Sequence, residues 1–404
     1  MSLCQDELKR GETAMMKLKW KLLLAGAAAA LAACASNGAE TGATDYRAAA
    51  AVEPEQPDGI IAAQPMPSAP LDESKTLTRI IFASCAQQNE DQSIWDRIAA
   101  ENPDLTLYIG DNVYGDVRSE DPALPELKAA YMRLASSEPF ARVRSMAPML
   151  TMWDDHDYGM NDAGGEYEYK EASEALFEYV WAVPEGDPRR SRPGVYGSWT
   201  VGEDGKRVQI IMLDTRFFRS ELKPTDEYGV PGKERYIPDS DPSKTMLGEA
   251  QWAWLAEELQ KPADLRLLVS SVQVISEGHG WEAWKMLPAE RARLYKLITE
   301  TDANGVIMLT GDRHSAALYR KEGVNDYPLF EATSSSLNLP LRAWLDPNRP
   351  FEQEPGPNRL GDMVIDANYG LIEIDWEKGA IEVTIRGADG ETLLGEVLNL
   401  SALQ

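Results

Sequence analysis

The chain has 404 residues, of which 43% are hydrophobic and 26% are charged, as in a globular protein with one large domain or two smaller ones. Its formal net charge of -26 would repel the phosphate backbone of nucleic acids, so we expect no general nucleic-acid binding. A merely soluble acidic surface would give the same charge, so composition alone does not identify a cation site.

The N-terminus has the pattern of an export signal. Three lysines between positions 17 and 21 precede an apolar run at 22–30, and Leu31-Ala32-Ala33-Cys34 comes next. The apolar run is too short for a stable membrane-spanning helix, and the pattern predicts a signal peptide over residues 1–33. Its end resembles a bacterial lipoprotein processing box. We therefore expect an exported protein anchored to a membrane through lipidated Cys34 and facing the periplasm; an ordinary signal peptide is the alternative.

Residues 34–75 are rich in Ala, Pro, Glu, Ser and Gly and lack apolar periodicity, which predicts a disordered tether before a domain at 76–404. Cys4 lies before Met15 and Met16, one of which is the expected start of translation, and Cys34 would carry the lipid. Cys85 is then left without a partner for an internal disulfide. It is either a buried packing residue or a metal ligand.

Apolar periodicity and turn residues predict a series of strands and helices along the domain. In chain order they are strand 78–83, helix 92–100, strand 104–109, helix 124–136, strand 148–153, helix 170–181, strands 195–200 and 207–213, helix 247–259, strand 265–271, helix 288–300, strand 305–310, and strands 329–332, 369–375, 381–386 and 391–398. The early alternation and the β-rich end predict an α/β fold. We expect two mixed sheets stacked face to face with helices outside.

Four of the predicted strands end at groups that can bind metals. The four segments are Ser84-Cys85, Gly110-Asp111, Asp154-Asp155-His156-Asp157 and Gly311-Asp312-Arg313-His314. Ligands bind beyond the carboxyl ends of strands in open α/β sheets, so we expect these groups to converge. Carboxylate, imidazole and thiolate groups together suit a metal centre.

Individual roles stay open at this level. Tyr114, three residues after Asp111, is either a metal ligand or a residue stacked beside a turn. If the segment after residue 153 is extended, Asp155 and His156 point to opposite sides, so that one binds metal while the other faces substrate. A solvated acidic turn is the alternative.

The Gly311 segment raises similar questions. In an extended segment Asp312 and His314 share one side and can both meet a cation, whereas Arg313 would pair with an acidic group or a phosphate. The chain has three histidines, and the third, His279, is interpreted as a residue of a pocket loop.

Taken together, the motifs resemble the PhoD-like (alkaline phosphatase D) family of metallophosphatases across residues 78–398. The matching segments, in family order, are Phe82-Ala83-Ser84-Cys85, Gly110-Asp111-Asn112-Val113-Tyr114-Gly115-Asp116, Trp153-Asp154-Asp155-His156-Asp157, Gly311-Asp312-Arg313-His314 and Glu331-Ala332-Thr333-Ser334-Ser335. The resemblance implies a calcineurin-like, four-layer αββα sandwich that hydrolyses phosphate mono- or diesters outside the cytoplasm.

The resemblance also implies roles for residues. The implied metal ligands are Cys85, Asp111, Tyr114, Asp155, Asp312 and His314. His156 takes the position of the catalytic histidine, and Asn112 and Arg313 would contact phosphate or orient the metal ligands. Two or more metal ions are expected.

The sequence departs from the family pattern at two places, and the first of them bears on the identity of the metals. Calcium and iron, together or singly, are the leading candidates, but Gln87 stands where some members have a tyrosine, so zinc and manganese stay open. The segment 267–273 matches one that bears a histidine elsewhere in the superfamily, and Gln273 is the candidate to replace that histidine.

The expected reaction is transfer of a phosphoryl group to water, with His156 protonating the leaving alcohol. Preference for diesters or phospholipid headgroups is a rival within the same chemistry. A non-catalytic surface lipoprotein that binds ions or a partner is a rival of another class. The presence together of Asp111, His156, Asp312 and His314 argues against it.

Overall fold

The computed structural model describes residues 63–404, and their strands form two mixed sheets. The strands are β1 Arg79–Ala83, β2 Leu105–Ile109, β3 Met149–Met152, β4 Gly197–Val201, β5 Val208–Met212, β6 Leu265–Ser270, β7 Val306–Thr310, β8 Ala316–Lys321, β9 Leu329–Ser334, β10 Arg359–Val364, β11 Asn368–Asp375, β12 Ala380–Gly387 and β13 Thr392–Asn399. The helices are α1 Ile94–Ala100, α2 Pro125–Ala135, α3 Glu138–Met146, α4 Asp155–Tyr158, α5 Lys170–Val180, α6 Gly248–Leu259 and α7 Pro288–Glu300.

Each sheet combines a parallel part with antiparallel strands. The first sheet has the order β13-β12-β11-β1-β2-β3, in which β1, β2 and β3 are parallel. The second has the order β10-β8-β9-β7-β6-β5-β4, in which β5, β6, β7 and β9 are parallel. The parallel strands of both sheets are therefore the ones that carry the candidate motifs at their carboxyl ends.

The two faces of β1 show why the sheets stack. Ile80 and Phe82 lie in a buried cluster shared with strands of the second sheet, whereas Ile81 and Ala83 lie in another cluster with helices. Successive side chains of a strand point to opposite faces, so a strand that is apolar throughout is covered on both. The first sheet is thus packed between the second sheet and a helical layer.

Amphipathic helices form the outer layers. On the first sheet, α1, α2, α3 and α5 contribute apolar side chains such as Trp95, Tyr131 and Phe140. On the second, α6 and α7 contribute Leu255 and Leu294. The predicted α/β sandwich of two mixed sheets with helices outside is confirmed.

Most predicted elements are present within a few residues of their expected bounds, but four were missed: α3, α4, β8 and β10. The signal peptide and Cys34 lie outside the described residues. The described part of the predicted tether differs from a disordered chain, because Met66 is buried and its N–H donates to the Val180 carbonyl at 2.6 Å. Within residues 63–404, no helix is long and apolar enough to cross a membrane.

Candidate metal centre and catalytic pocket

The two sheets approach each other closely where the parallel strands end. Across the sheets, a Cβ at Gly311 would lie 2.6 Å from the Ser84 Oγ, and one at Gly110 would lie 3.3 Å from the Ser271 Cβ and, within its own sheet, 2.7 Å from the Asp154 Cβ. Only glycine fits at these two positions without displacing a neighbour. The close approach brings residues just beyond β1, β2, β3 and β7 into one site.

Four of the predicted ligands have left-handed backbone conformations. The φ angles are 58° at Cys85, 48° at Asp111, 69° at Asp312 and 51° at His314. Such conformations cost non-glycine residues about 1 kcal/mol or more each, and they persist where the surrounding structure imposes them. Here they turn side chains from the strand ends toward a common point.

One group of ligands combines Cys85, Asp111 and His314, whose donor atoms lie within 4.8 Å of one another. The Tyr114 hydroxyl lies beside them, 3.0 Å from Asp111 Oδ2 and 3.4 Å from His314 Nε2. His314 Nδ1 lies 2.7 Å from the Leu339 carbonyl, which can only accept, so Nδ1 carries the proton and Nε2 offers a lone pair. The predicted ligation by Cys85 and Tyr114 is compatible with this geometry.

A second group consists of Asp154, Asp155 and Asp312, again with donor atoms within 4.8 Å. The guanidinium group of Arg216 is fully buried beside it, 2.5 Å from an Asp154 oxygen and 2.7 Å from Glu282. One oxygen of Asp154 and one of Asp155 have no hydrogen-bond partner among the described residues.

Burial and mutual repulsion disfavour the ionised forms of Asp111, Asp154 and Asp312. At Asp155 burial acts in the same direction, but the charges of His156 and Arg216 prevail and lower its pKa below the ordinary value. Burial, with Asp155 nearby, raises the pKa of Asp111 well above its ordinary value, and burial, with Asp154 nearby, does the same for Asp312. Burial raises the pKa of Asp154 to about 6, despite Arg216. Buried carboxylates need compensating cations. The donor set and the unpartnered oxygens therefore fit bound metal ions.

His156 lies at the edge of the same site on α4. Its Nδ1 is 2.9 Å from Asp116 Oδ2, and its ring lies 4.4 Å from the Tyr114 ring. Burial lowers the pKa of His156, but Asp155, Asp111 and the Asp116 contact raise it to about 11. One of its nitrogens is also within 4.8 Å of oxygens of Asp111 and Asp155. Proton donation and metal binding are both compatible with this position.

Two predictions about local conformation were wrong. Asp155 and His156 do not alternate along an extended segment, because they form the first turn of α4, which a capping box between Asp154 and Asp157 stabilises. Asp312 and His314 are not on one side of an extended segment either. Their left-handed conformations send them to different ligand groups.

The two predicted phosphate-contacting residues lie in different surroundings. Asn112 is fully buried, and its amide donates to the Met152 carbonyl at 2.6 Å and to Asp157 at 2.5 Å, so its contacts are those of an orienting residue. Arg313 lines the pocket, where its guanidinium donates to Glu354 at 3.0 Å.

Gln273 and His279 bind each other and not the metal groups. His279 Nε2 is 2.8 Å from Gln273 Oε1, and the amide nitrogen of Gln273 donates to Tyr319 and Thr333 at 3.1 and 2.9 Å. Both are buried. The contacts of Gln273 are therefore not those of a residue that replaces a histidine ligand. His279 is a buried residue that stabilises its own loop.

The comparisons with known proteins agree with this geometry. The PhoD-like phosphatase family matches residues 80–340, well over half of the chain. The chain belongs to this family.

Two relatives give the extent of the likeness. Alkaline phosphatase D of Bacillus subtilis (strain 168) is 25% identical over an alignment of 292 residues that covers 63% of this chain and 48% of that protein. The chain thus spans about half the length of this curated relative. A solved structure described as "Structure of PhoD" has a TM-score of 0.61 and 16% identity, with 84% of this chain and 73% of that chain covered. It shares the fold.

Several polar residues of this PhoD-like site were missed by sequence reasoning. Asp116 contacts His156, Arg216 binds Asp154, and Asp162 and Glu282 form a further possible ligand group with Asp155. Asp116 lies in the Gly110–Asp116 motif and could have been found by its position. The others lie outside the motif set, so the sequence carries no signal for them.

A cavity of about 710 Å³ opens over the PhoD-like centre. Its inner wall contains Asp111, Tyr114, Asp155, His156 and His314. Its outer wall is partly apolar and is built from three segments. The first contributes Pro231, Glu234 and Arg235, the second contributes Gly278 and Trp281, and the third contributes Leu339, Leu341, Trp344, Leu345, Phe351, Glu352, Gln353, Glu354 and Pro355. This volume is typical of sites for small organic ligands.

Proposed function

We propose that this PhoD-like protein is an exported, metal-dependent hydrolase of phosphate esters. The observation that carries the proposal is the convergence of buried carboxylate, thiol, phenol and imidazole groups at one pocket, with two carboxylate oxygens left unpartnered within the described residues. Such a set needs cations, and cations near an open pocket suit phosphoryl transfer to water.

The ligands divide the site between two or more cations. Cys85, His314 and Tyr114 would hold one, Asp155 and Asp312 another, and Asp111 is close to both groups. Bound cations would neutralise the charge of the phosphate and activate water. Calcium and iron are the leading candidates, since carboxylates suit calcium and a phenol with a thiolate suits iron.

His156 is proposed to donate a proton to the leaving alcohol. Asp116 accepts from its Nδ1, which fixes the ring and favours the protonated imidazole. His156 lines the pocket together with Asp111, as a group acting on substrate must. Arg313 would orient the pocket wall through Glu354 or turn to the phosphate.

The test is elemental analysis of the purified protein together with turnover of a phosphate monoester and a diester. We expect at least two bound cations per chain, activity lost on chelation and activity restored by metal. A metal-free preparation with full activity would refute the proposal, and a metal-loaded protein that hydrolyses neither ester would favour a non-catalytic ion-binding protein. A visible absorption band that disappears in Tyr114→Phe would identify iron with a tyrosinate ligand.

The proposed location rests on the N-terminal sequence. Leu31-Ala32-Ala33-Cys34 comes directly after a short apolar run, which supports export and lipid attachment at Cys34. Intact-mass measurement of membrane-extracted protein should give a chain that begins at an acylated Cys34. A mature form that starts elsewhere and does not partition into detergent would contradict this.

A further inference from the structure

Trp344 is a large apolar side chain that lines the pocket and yet is 57% exposed. It ends the 3₁₀ turn Leu341–Trp344, and its ring meets the His314 ring edge-to-face at 4.7 Å. The indole thus contacts a predicted metal ligand and keeps more than half of its surface accessible, at a position that lines the pocket. Aromatic surfaces in such positions contribute strongly to ligand binding.

The backbone holds this indole in a fixed position. The Leu341 N–H donates to the His314 carbonyl at 2.7 Å, and His314 Nδ1 donates to the Leu339 carbonyl at 2.7 Å. Arg342 binds Asp366 through its guanidinium at 2.8 Å, and its N–H donates to the Ile365 carbonyl at 3.0 Å. The turn that carries Trp344 is therefore tied to the metal centre on one side and to β10–β11 on the other. Such preorganisation lowers the entropic cost of binding a ligand.

The charges of the outer pocket restrict the ligand that fits there. Its two arginines are occupied, because Arg235 pairs with Asp162 and Arg313 pairs with Glu354. Both guanidinium groups also lie over the ring of Trp281, at 5.3 and 5.8 Å. The cationic charge of the outer wall is thus already balanced by these carboxylates, and a second phosphate on the ligand would find no unpaired cation among the described lining residues.

We propose that Trp344 is a specificity-determining residue, whose indole binds the organic group of an ester that has one phosphate and a neutral aromatic or apolar substituent. This inference rests on the proposed function, since it assumes that the phosphate is held at the metal centre. The continuity of the cavity from Asp111 to Trp344 places such a substituent on the indole. The neighbouring Leu341 and Leu345 extend the apolar wall.

The test compares 2-phenylethyl phosphate with ethyl phosphate. Both release an alkyl alcohol of similar acidity, so they differ mainly in the surface offered to the pocket. Trp344→Ala should reduce the ratio of the two kcat/KM values by about tenfold, through KM of the phenylethyl ester, and Trp344→Phe should retain most of the ratio. Val397→Ala, at an exposed apolar residue of β13, is the control and should change neither value.

Two results with Trp344→Ala would overturn the inference. One is an unchanged ratio in Trp344→Ala. The other is an equal loss for both esters with loss of metal, which would mean that Trp344 only supports His314. Propane-1,3-diol bisphosphate should be hydrolysed no better than propyl phosphate, and a clear preference for the bisphosphate would contradict the assigned substrate class.

Binding of the phosphonate analogues to metal-loaded protein separates this inference from the proposed function. Calorimetry should give tighter binding of 2-phenylethyl phosphonate than of ethyl phosphonate, and Trp344→Ala should remove that preference. If neither ester is hydrolysed but this result holds, the proposed catalysis fails and the role of Trp344 in binding stands. If both phosphonates bind equally well to the unchanged protein, the role of Trp344 fails.

Discussion

Glu331 on β9 and the aspartates of the metal centre are buried carboxyl groups in contrasting surroundings. On β9, Glu331 accepts from the N–H groups of Val274 and Ile275 at 3.1 and 2.5 Å and from the Thr310 hydroxyl at 3.0 Å. At the centre, Asp154 and Asp155 each keep one oxygen without a hydrogen-bond partner among the described residues. Both oxygens of Glu331 thus have hydrogen-bond donors, whereas, within residues 63–404, each of the two aspartates has donors for one oxygen only.

The difference separates a structural carboxyl group from a ligand. The neutral donors around Glu331 belong in part to the loop after β6, which they hold in place. This carboxyl group needs no further partner for its oxygens. At the centre, several carboxylates share the buried cation Arg216, so their charge exceeds what the side chains around them offset. A site of this kind requires an added cation, whereas the first kind does not.

The largest expected effect comes from Asp111→Asn. Asp111 belongs to two ligand groups, one with Cys85 and His314 and one with Asp155 and His156. The neutral amide would weaken binding of cations at both. We expect loss of bound metal by elemental analysis and a fall in kcat/KM of about 10³-fold or more for every ester tested.

The matched control is Glu331→Gln, which also converts a buried carboxyl group to an amide. It should keep the metal content and the kinetic constants of the unchanged protein. Equal loss of metal in both variants would mean that the distinction between the two surroundings is mistaken, because any change in buried charge would then release the cations.

A smaller and more selective effect is expected for His156→Asn. His156 is proposed to protonate the leaving group, and loss of a general acid costs about 10² to 10⁴ in rate. The loss should be greatest for esters of weakly acidic alcohols and smaller for p-nitrophenyl esters, whose leaving group departs as an anion. Steady-state rates across such a series, with metal analysis, are the measurement.

The same series decides between the two positions that the geometry allows for His156. Near-normal metal content together with a leaving-group-dependent loss would assign it to proton donation. Loss of a cation, or rate losses of equal size for good and poor leaving groups, would show that His156 is a ligand like Asp155 and not an acid.

The sequence predicts the fold well because its signals are local. Strands such as β1 and β2 are short apolar runs with clear ends, and parallel strands bring the residues at their carboxyl ends to one sheet edge. The residues directly after those strands, including Cys85 and Asp111, were therefore predictable as a cluster. The resemblance of the motifs to those of the family then implied the roles of individual residues.

The features that the sequence does not predict depend on backbone conformation and on distant contacts. Asp312 and His314 belong to different ligand groups and both have left-handed backbones, which an Asp-Arg-His sequence does not indicate. Arg216 meets Asp154 only after β3 and β5 are placed in opposite sheets. Such pairs result from tertiary packing and have no local pattern.

The smallest expected effect is that of Glu331→Gln on stability. The amide oxygen can still accept from Val274 and Ile275, and the amide nitrogen can donate to the Thr310 and Thr333 hydroxyls. We therefore expect a change of less than about 1 kcal/mol in the free energy of unfolding at pH 5, from urea titration.

The pH dependence of that change tests how strongly burial disfavours the ionised form of Glu331. Burial raises the pKa of Glu331 from 4.5 to about 7, so the folded protein keeps a proton that the unfolded chain releases between these pH values. The stability from this group is complete below about pH 4.5 and is lost as the pH rises through 7. Glutamine does not titrate, so the variant should gain stability relative to the unchanged protein between pH 5 and pH 8. Titration of the metal centre is common to both proteins and cancels in the difference. A variant that is much less stable at both pH values would mean that the Glu331 site needs the carboxylate charge.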